Sequence, residues 1–146
     1  MTEASARSSG RATPTSAFLP RRVLVIDDCP DQRTIVRLML ERAGVHVDEA
    51  DSGQAGLQVY ASACRDNAPH EVVLMDLRMP HMDGLETTRQ LLEQAATPPR
   101  IVGVTAEPHA AYFEACRSAG MEAVVTKPYR TSSLLVACLR GPRAEA

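Results

Sequence analysis

The stretch Val72-Val73-Leu74-Met75-Asp76-Leu77-Arg78-Met79-Pro80-His81-Met82-Asp83-Gly84 decides how this chain is read. Four apolar residues in a row read as a strand buried on both faces. The run stops at a carboxylate, and Met79-Pro80 and Asp83-Gly84 then give loop and turn signals. Asp76 is thus expected where a buried strand emerges at the rim of a sheet. An ionised carboxylate is costly to bury without a partner, so an acid there either caps the loop or takes part in chemistry.

Working outward, the same alternation recurs. Val23 to Ile26 reads as a buried strand ending in Asp27-Asp28. Asp31 to Ala43 reads as a helix, with Ile35, Leu38, Met39 and Arg42 on one side and Gly44 as its stop signal. Val45 to Glu49 alternates apolar and polar, as a half-exposed edge strand does. Asp51 to about Asp66 is a second helix, capped by Asp51 or Ser52. Glu71 to Met75 is the strand described above, and Leu85 to about Gln94 a third helix. Ile101 to Val104 is a fourth buried strand ending in Thr105, followed by a helix from Pro108 to Ala119, closed by Gly120. Ala123 to Val125 is a short fifth strand leading into Thr126-Lys127-Pro128, and Thr131 to Arg140 is the last helix.

Strands alternating with helices imply an α/β protein with a parallel sheet. Right-handed crossovers and an edge-like second strand favour the order 2-1-3-4-5. That order sets the ends of strands one and three side by side at a switch point, where such sheets bind ligands.

The length of 146 residues suits one domain with a full core. Residues 1–20 are rich in Ser, Thr, Ala and Arg without apolar period and read as a disordered, basic tail, although Phe18-Leu19 could pack onto the domain. The domain is expected over 21–141, with a short flexible tail at 142–146. A net charge of −2 argues against an obligatory nucleic-acid partner. No apolar run approaches a membrane span, and the first residues lack the apolar middle of a signal peptide. Cys29, Cys64, Cys116 and Cys138 show no CxxC spacing, so reduced thiols in a cytoplasmic protein are the default. His46, His70, His81 and His109 lie on strand edges or loops and show no metal spacing. Arg21-Arg22 reads as a solvated approach to the first strand.

The residues just after each buried strand carry the chemistry. Asp27-Asp28, Asp76, Thr105 and Lys127 must share one rim, because parallel strands share one carboxyl edge. Three nearby carboxylates repel and must share protons or hold a cation. An all-oxygen ligand set selects a hard ion, Mg²⁺ with several waters above all. A cation, an ammonium and a hydroxyl around a carboxylate form a cradle for a phosphoryl group, with the carboxylate attacking phosphorus in line.

These residues resemble the receiver domain of two-component response regulators over about Arg22 to Leu139. The acidic pair after strand one, Asp-x-x-Met-Pro-x-Met-Asp-Gly after strand three and Lys-Pro after strand five are jointly specific. Cys116-Arg117-Ser118-Ala119-Gly120-Met121 is similar to the receivers of hybrid histidine kinases. The resemblance implies a CheY-like, flavodoxin-like (βα)5 fold with helices on both sheet faces. It implies Asp76 as phosphoacceptor, Asp28 as direct Mg²⁺ ligand with Asp27 acting largely through water, and the Arg78 backbone carbonyl completing the metal site. Mn²⁺ is the alternative ion. Thr105 and Lys127 would hold phosphoryl oxygens, and a cis bond is expected before Pro128. The implied partners are a histidine kinase or histidine phosphotransfer protein and an unidentified target protein, with the chain a monomer or weak dimer.

Two departures from the family pattern matter. Val124 stands where the family usually has Tyr or Phe as a rotamer switch. Arg78 and Glu107 occupy the two positions flanking the phosphoryl group that influence its hydrolysis, and could pair across the pocket mouth. The expected function is a single-domain response regulator in a phosphorelay, since the chain stops soon after the fifth helix. It would be no enzyme beyond self-catalysed phosphotransfer and dephosphorylation. The competing readings are a receiver-like binding module working without phosphorylation and an aspartyl-nucleophile phosphatase. The second would need an Asp where Cys29 stands.

Overall fold

In a computed structural model of the chain, residues 18–79, 81–106 and 110–139 are described. Residues 1–17 of the expected leading tail and the tail expected at 142–146 lie outside the described residues. So do Pro80, Glu107, Pro108, His109 and Arg140. The elements are β1 (Arg22–Ile26), α1 (Pro30–Arg42), β2 (His46–Ala50), α2 (Gly53–Arg65), β3 (Val72–Asp76), α3 (Gly84–Gln94), β4 (Arg100–Thr105), α4 (Ala110–Ala119), β5 (Ala123–Thr126) and α5 (Thr131–Cys138). The sheet order is β2-β1-β3-β4-β5, and every pairing is parallel. The expected architecture is thus the observed one.

Alternate residues of each central strand serve different layers, as a period of two requires. Val23, Val25, Leu74 and Val102 pack with Val36 and Leu40 of α1 and Leu134 and Cys138 of α5. Leu24, Ile26, Val73, Met75 and Ile101 pack with Tyr60 of α2, Leu91 of α3 and Cys116 of α4. Both sheet faces are therefore covered, and each fully buried side chain contributes roughly 1.5–3 kcal/mol.

Local signals set the helix ends. Pro30 occupies the first turn of α1, where its missing N–H costs nothing. Ser52 caps α2 by accepting from the Ala55 N–H at 3.1 Å, and Asp83 caps α3 by accepting from the Glu86 N–H at 2.9 Å. Gly44, with φ of +90°, ends α1 in a conformation that favours glycine.

The face of α1 requires a correction. Of Ile35, Leu38, Met39 and Arg42, only Met39 packs on the core. Ile35 and Leu38 are exposed, and Val36 and Leu40 are buried instead. The helix offers apolar residues on two sides, and apolar spacing alone does not say which side meets the sheet. Leu19 packs against the core while Phe18 is exposed.

Candidate functional site

The parallel order brings four strand ends to one rim. β1 runs out at Ile26 and is followed by Asp27 and Asp28; β3 ends at Asp76, β4 at Thr105, and β5 at Thr126 just before Lys127. One carboxylate oxygen from each of Asp27, Asp28 and Asp76 lies within 4.8 Å of the others. Asp27 and Asp76 are buried, Thr105 more so, and Asp28 is exposed at the mouth.

Backbone hydrogen bonds hold these groups in place. The Asp27 N–H donates to the Ala50 carbonyl of β2 at 3.1 Å, and the Cys29 N–H donates to Asp27 Oδ1 at 2.9 Å. The Arg78 N–H donates to Asp76 Oδ1 at 3.1 Å. The Leu77 N–H reaches the Val104 carbonyl at 3.1 Å, and the Lys127 N–H reaches the Thr105 carbonyl at 2.8 Å. The Lys127–Pro128 bond is cis. Gly84 closes the loop after Asp76 tightly: a Cβ there would meet the Asp76 carbonyl oxygen at 2.6 Å and Leu77 Cα at 2.9 Å.

The electrostatics are unbalanced in the sense that chemistry needs. Burial pushes the Asp76 carboxyl up to about 6; the Arg78 N–H opposes this, the charge of Asp27 adds to it, and the charge of Lys127 opposes it. A divalent cation beside these oxygens would relieve that repulsion. The three-oxygen cluster, with no sulfur or nitrogen donor in it, fits a hard ion such as Mg²⁺. Lys127 is the only lysine in a chain whose other cationic side chains, apart from histidine, are arginines. A lysine is a compact point charge on a flexible stem, suited to follow a phosphoryl oxygen rather than to fork a carboxylate.

Two residues near the site were not picked out from the sequence. Arg33 of α1 donates through Nη1 to the Asp27 carbonyl at 2.7 Å and through Nε to Glu49 at 3.2 Å, tying the loop before α1 to β2. Tyr129 is partly buried beside the rim, and its phenol is pushed up by burial and then by the charges of Asp27 and Asp76. Its place directly after Lys127-Pro128 is the only sequence signal it gives. The expected Arg78–Glu107 pair lies outside the described residues at its Glu107 end.

The family model for the response regulator receiver domain matches residues 23–139. The chain belongs to that family. It is 36% identical over 115 residues to the two-component response regulator ORR41 of Oryza sativa, covering 77% of this chain and 87% of the rice protein. It is 32% identical to the sensor histidine kinase GacS of Pseudomonas protegens over 89% of this chain but only 14% of that protein. The structure of the chemotaxis protein CheY4 of Vibrio cholerae superposes with a TM-score of 0.69 at 27% identity, over 79% of this chain and 92% of that one. Among the described residues, no helix is long and apolar enough to cross a membrane.

Proposed function

We propose that the chain is a phosphoryl-accepting response regulator of a phosphorelay, and that Asp76 is the acceptor. The observation that supports this most is the cluster of Asp27, Asp28 and Asp76 oxygens within 4.8 Å, on a rim that also ends in Thr105 and Lys127. In this reading a carboxylate oxygen of Asp76 attacks the phosphorus of a phosphohistidine. The P–N bond breaks, the imidazole nitrogen keeps the electron pair, and an acyl phosphate remains on Asp76. Asp28, Asp27, Asp76 and the Arg78 carbonyl would hold Mg²⁺, which when bound neutralises phosphoryl charge. Thr105 donates its hydroxyl, and Lys127 its ammonium, to oxygens that arrive with the phosphoryl group. The donor is a histidine kinase or histidine phosphotransfer protein, and the product switches a surface that a target protein reads.

Incubation with acetyl phosphate and Mg²⁺ tests this. One acid-stable, base-labile phosphoryl group should appear by intact mass, and ε-¹⁵N-lysine labelling should show the single Lys127 resonance moving with it. An unmodified protein under conditions that bind Mg²⁺ would favour a binding module that works without phosphorylation.

A further inference from the structure

The loop that carries Asp27 and Asp28 is fixed along its backbone, and one side chain takes part in the fixing. The Asp27 N–H donates to the Ala50 carbonyl at 3.1 Å, and Asp27 Oδ1 accepts from the Cys29 N–H at 2.9 Å. The Asp27 carbonyl belongs to the peptide group that joins the two acids, and it accepts from Arg33 Nη1 at 2.7 Å. A peptide group is a rigid plane. The angle at which it is held therefore decides where the Asp28 carboxylate stands relative to Asp27 and Asp76.

The guanidinium is itself held from a second side. Arg33 Nε donates to Glu49 Oε1 of β2 at 3.2 Å, and Arg37 Nε reaches Glu49 Oε2 at 2.9 Å. Arg33 and Arg37 lie four residues apart on α1, where like charges repel, and the Glu49 carboxylate receives both. Glu49 comes two residues after Val47, which packs in the α1 layer, so it shares that face of the sheet. The Arg33 side chain is only 18% exposed. A planar fork with donors at fixed angles serves a carbonyl and a carboxylate at once, and an ammonium on a flexible stem holds no such angle. Arg37 offers a comparison within the same helix: it shares Glu49, and its Nη1 donates to Glu41 at 3.1 Å rather than to the Asp27 loop.

We infer that Arg33 is a positioning residue that tilts the acidic rim toward Mg²⁺ over Ca²⁺ by bracing the Asp27–Asp28 peptide. This rests on the reading of Asp27, Asp28 and Asp76 as a cation site. Mg²⁺ demands a near-ideal octahedron of oxygens at about 2.0–2.1 Å, whereas Ca²⁺ accepts irregular sets of oxygens at about 2.3–2.6 Å. A peptide locked at one angle keeps the carboxylates at one spacing and favours the smaller, stricter ion. A freed peptide lets them spread around the larger one. Arg33 also brings positive charge toward the site, but two ions of equal charge feel that repulsion alike. The ratio of the two affinities therefore reports the geometry of the loop and cancels the charge of Arg33.

Calorimetric titration of the full chain with Mg²⁺ and with Ca²⁺ tests this, with the melt of each variant recorded without metal. Arg33→Met keeps the stem and removes every donor. It should lower the Mg²⁺-to-Ca²⁺ affinity ratio by about threefold to tenfold, whichever way the two affinities move together. Arg33→Lys keeps the charge and loses the fork, and should lower the ratio as well. Arg37→Met loosens the tie to the same Glu49 and should leave the ratio at its wild-type value. An unchanged ratio in Arg33→Met would overturn the inference, as would a wild-type ratio in Arg33→Lys or an equal fall in Arg37→Met. If Arg33→Met does not fold, the other two variants decide: a ratio lowered in Arg33→Lys alone supports the brace, and any other pattern overturns it. A wild-type chain that binds neither ion, or binds both equally well after Asp28→Ala, removes the cation site itself and the inference with it.

Discussion

The two ends of one sheet handle charge in opposite ways. At the carboxyl edge, Asp27 and Asp76 are both buried, and burial first, with the charge of Asp27 adding to it, pushes Asp76 up to about 6. At the amino edge, carboxylates are matched: Asp48 by the Arg22 guanidinium and the His70 ring, Glu122 by Arg100 at 2.7 Å. Burial there pushes Asp48 up, but the bonds from His70 and His46 prevail and hold its carboxyl below the usual range. The amino edge uses charge to hold strands together, whereas the carboxyl edge holds an excess of negative charge that a cation would offset. The contrast indicates where chemistry belongs in such a sheet. A matched cluster is mainly structural, and a repelling one is waiting for a ligand.

The largest effect should come from Asp76→Asn, which should abolish acyl-phosphate formation from acetyl phosphate, read by intact mass. Labelling that persists would move the acceptor elsewhere on the rim and break the contrast at its centre. Next, Asp28→Ala should weaken Mg²⁺ binding by at least about tenfold in calorimetry, because it removes a carboxylate from the cluster. Unchanged binding would mean that the three carboxylates do not act as one site.

Both expectations rest on residues legible in the sequence itself. Buried strands ending in Asp27-Asp28, Asp76, Thr105 and Lys127 could converge only if the sheet was parallel, and the βα alternation dictated that. The His70–Asp48–Arg22 cluster was not visible in this way. Its members are 22 and 26 residues apart and meet only through the β1–β2 and β1–β3 registers, which put Arg22 beside His46, Leu24 beside Asp48 and Val23 beside Val72. His70 read as an ordinary loop histidine for that reason. The inward face of α1 was missed on similar grounds, since Val36 and Leu40 differ from Ile35 and Leu38 only in which side the sheet happens to cover.

The pH dependence should split the two ends. Asp76 binds its proton more tightly folded than unfolded, so its contribution is present in acid and is lost as pH rises from 3.8 through about 6. His70 behaves the other way: the folded state excludes its proton, and stability falls as pH drops below 6.5. Asp76→Asn should therefore stabilise the metal-free protein at pH 7.5, by about 1–3 kcal/mol in denaturant melts, with little effect at pH 4. His70→Gln should matter least at pH 7.5 and should flatten the loss in acid. Saturating Mg²⁺ should erase most of the Asp76→Asn advantage and leave the His70→Gln behaviour untouched. A Mg²⁺ effect on both would show that the two edges are not separate.

The smallest expected effect concerns how far a change at the carboxyl edge spreads. Val124 on β5 pairs with Gly103 and packs with the layer that includes Ile101, Cys116 and Met121. Its branched side chain is stiff about χ1 and presents little surface when it moves. Beryllofluoride with Mg²⁺ should therefore shift amides around Asp76 and Thr105 strongly and those of β5 weakly. Beside Val124 lies a cavity of about 370 Å³ lined by Phe113, Arg117 and Met121 among others, so a ring has somewhere to go. Val124→Tyr should fold, at a cost toward the low end of the roughly 1–3 kcal/mol that overpacking takes. With the fold verified by its melt, that variant should show a larger β5 response to beryllofluoride than the wild type. Strong β5 shifts in the wild type would mean that Thr105 reaches β5 without a ring. The Lys127 N–H to Thr105 carbonyl bond at 2.8 Å would then be the first route to test.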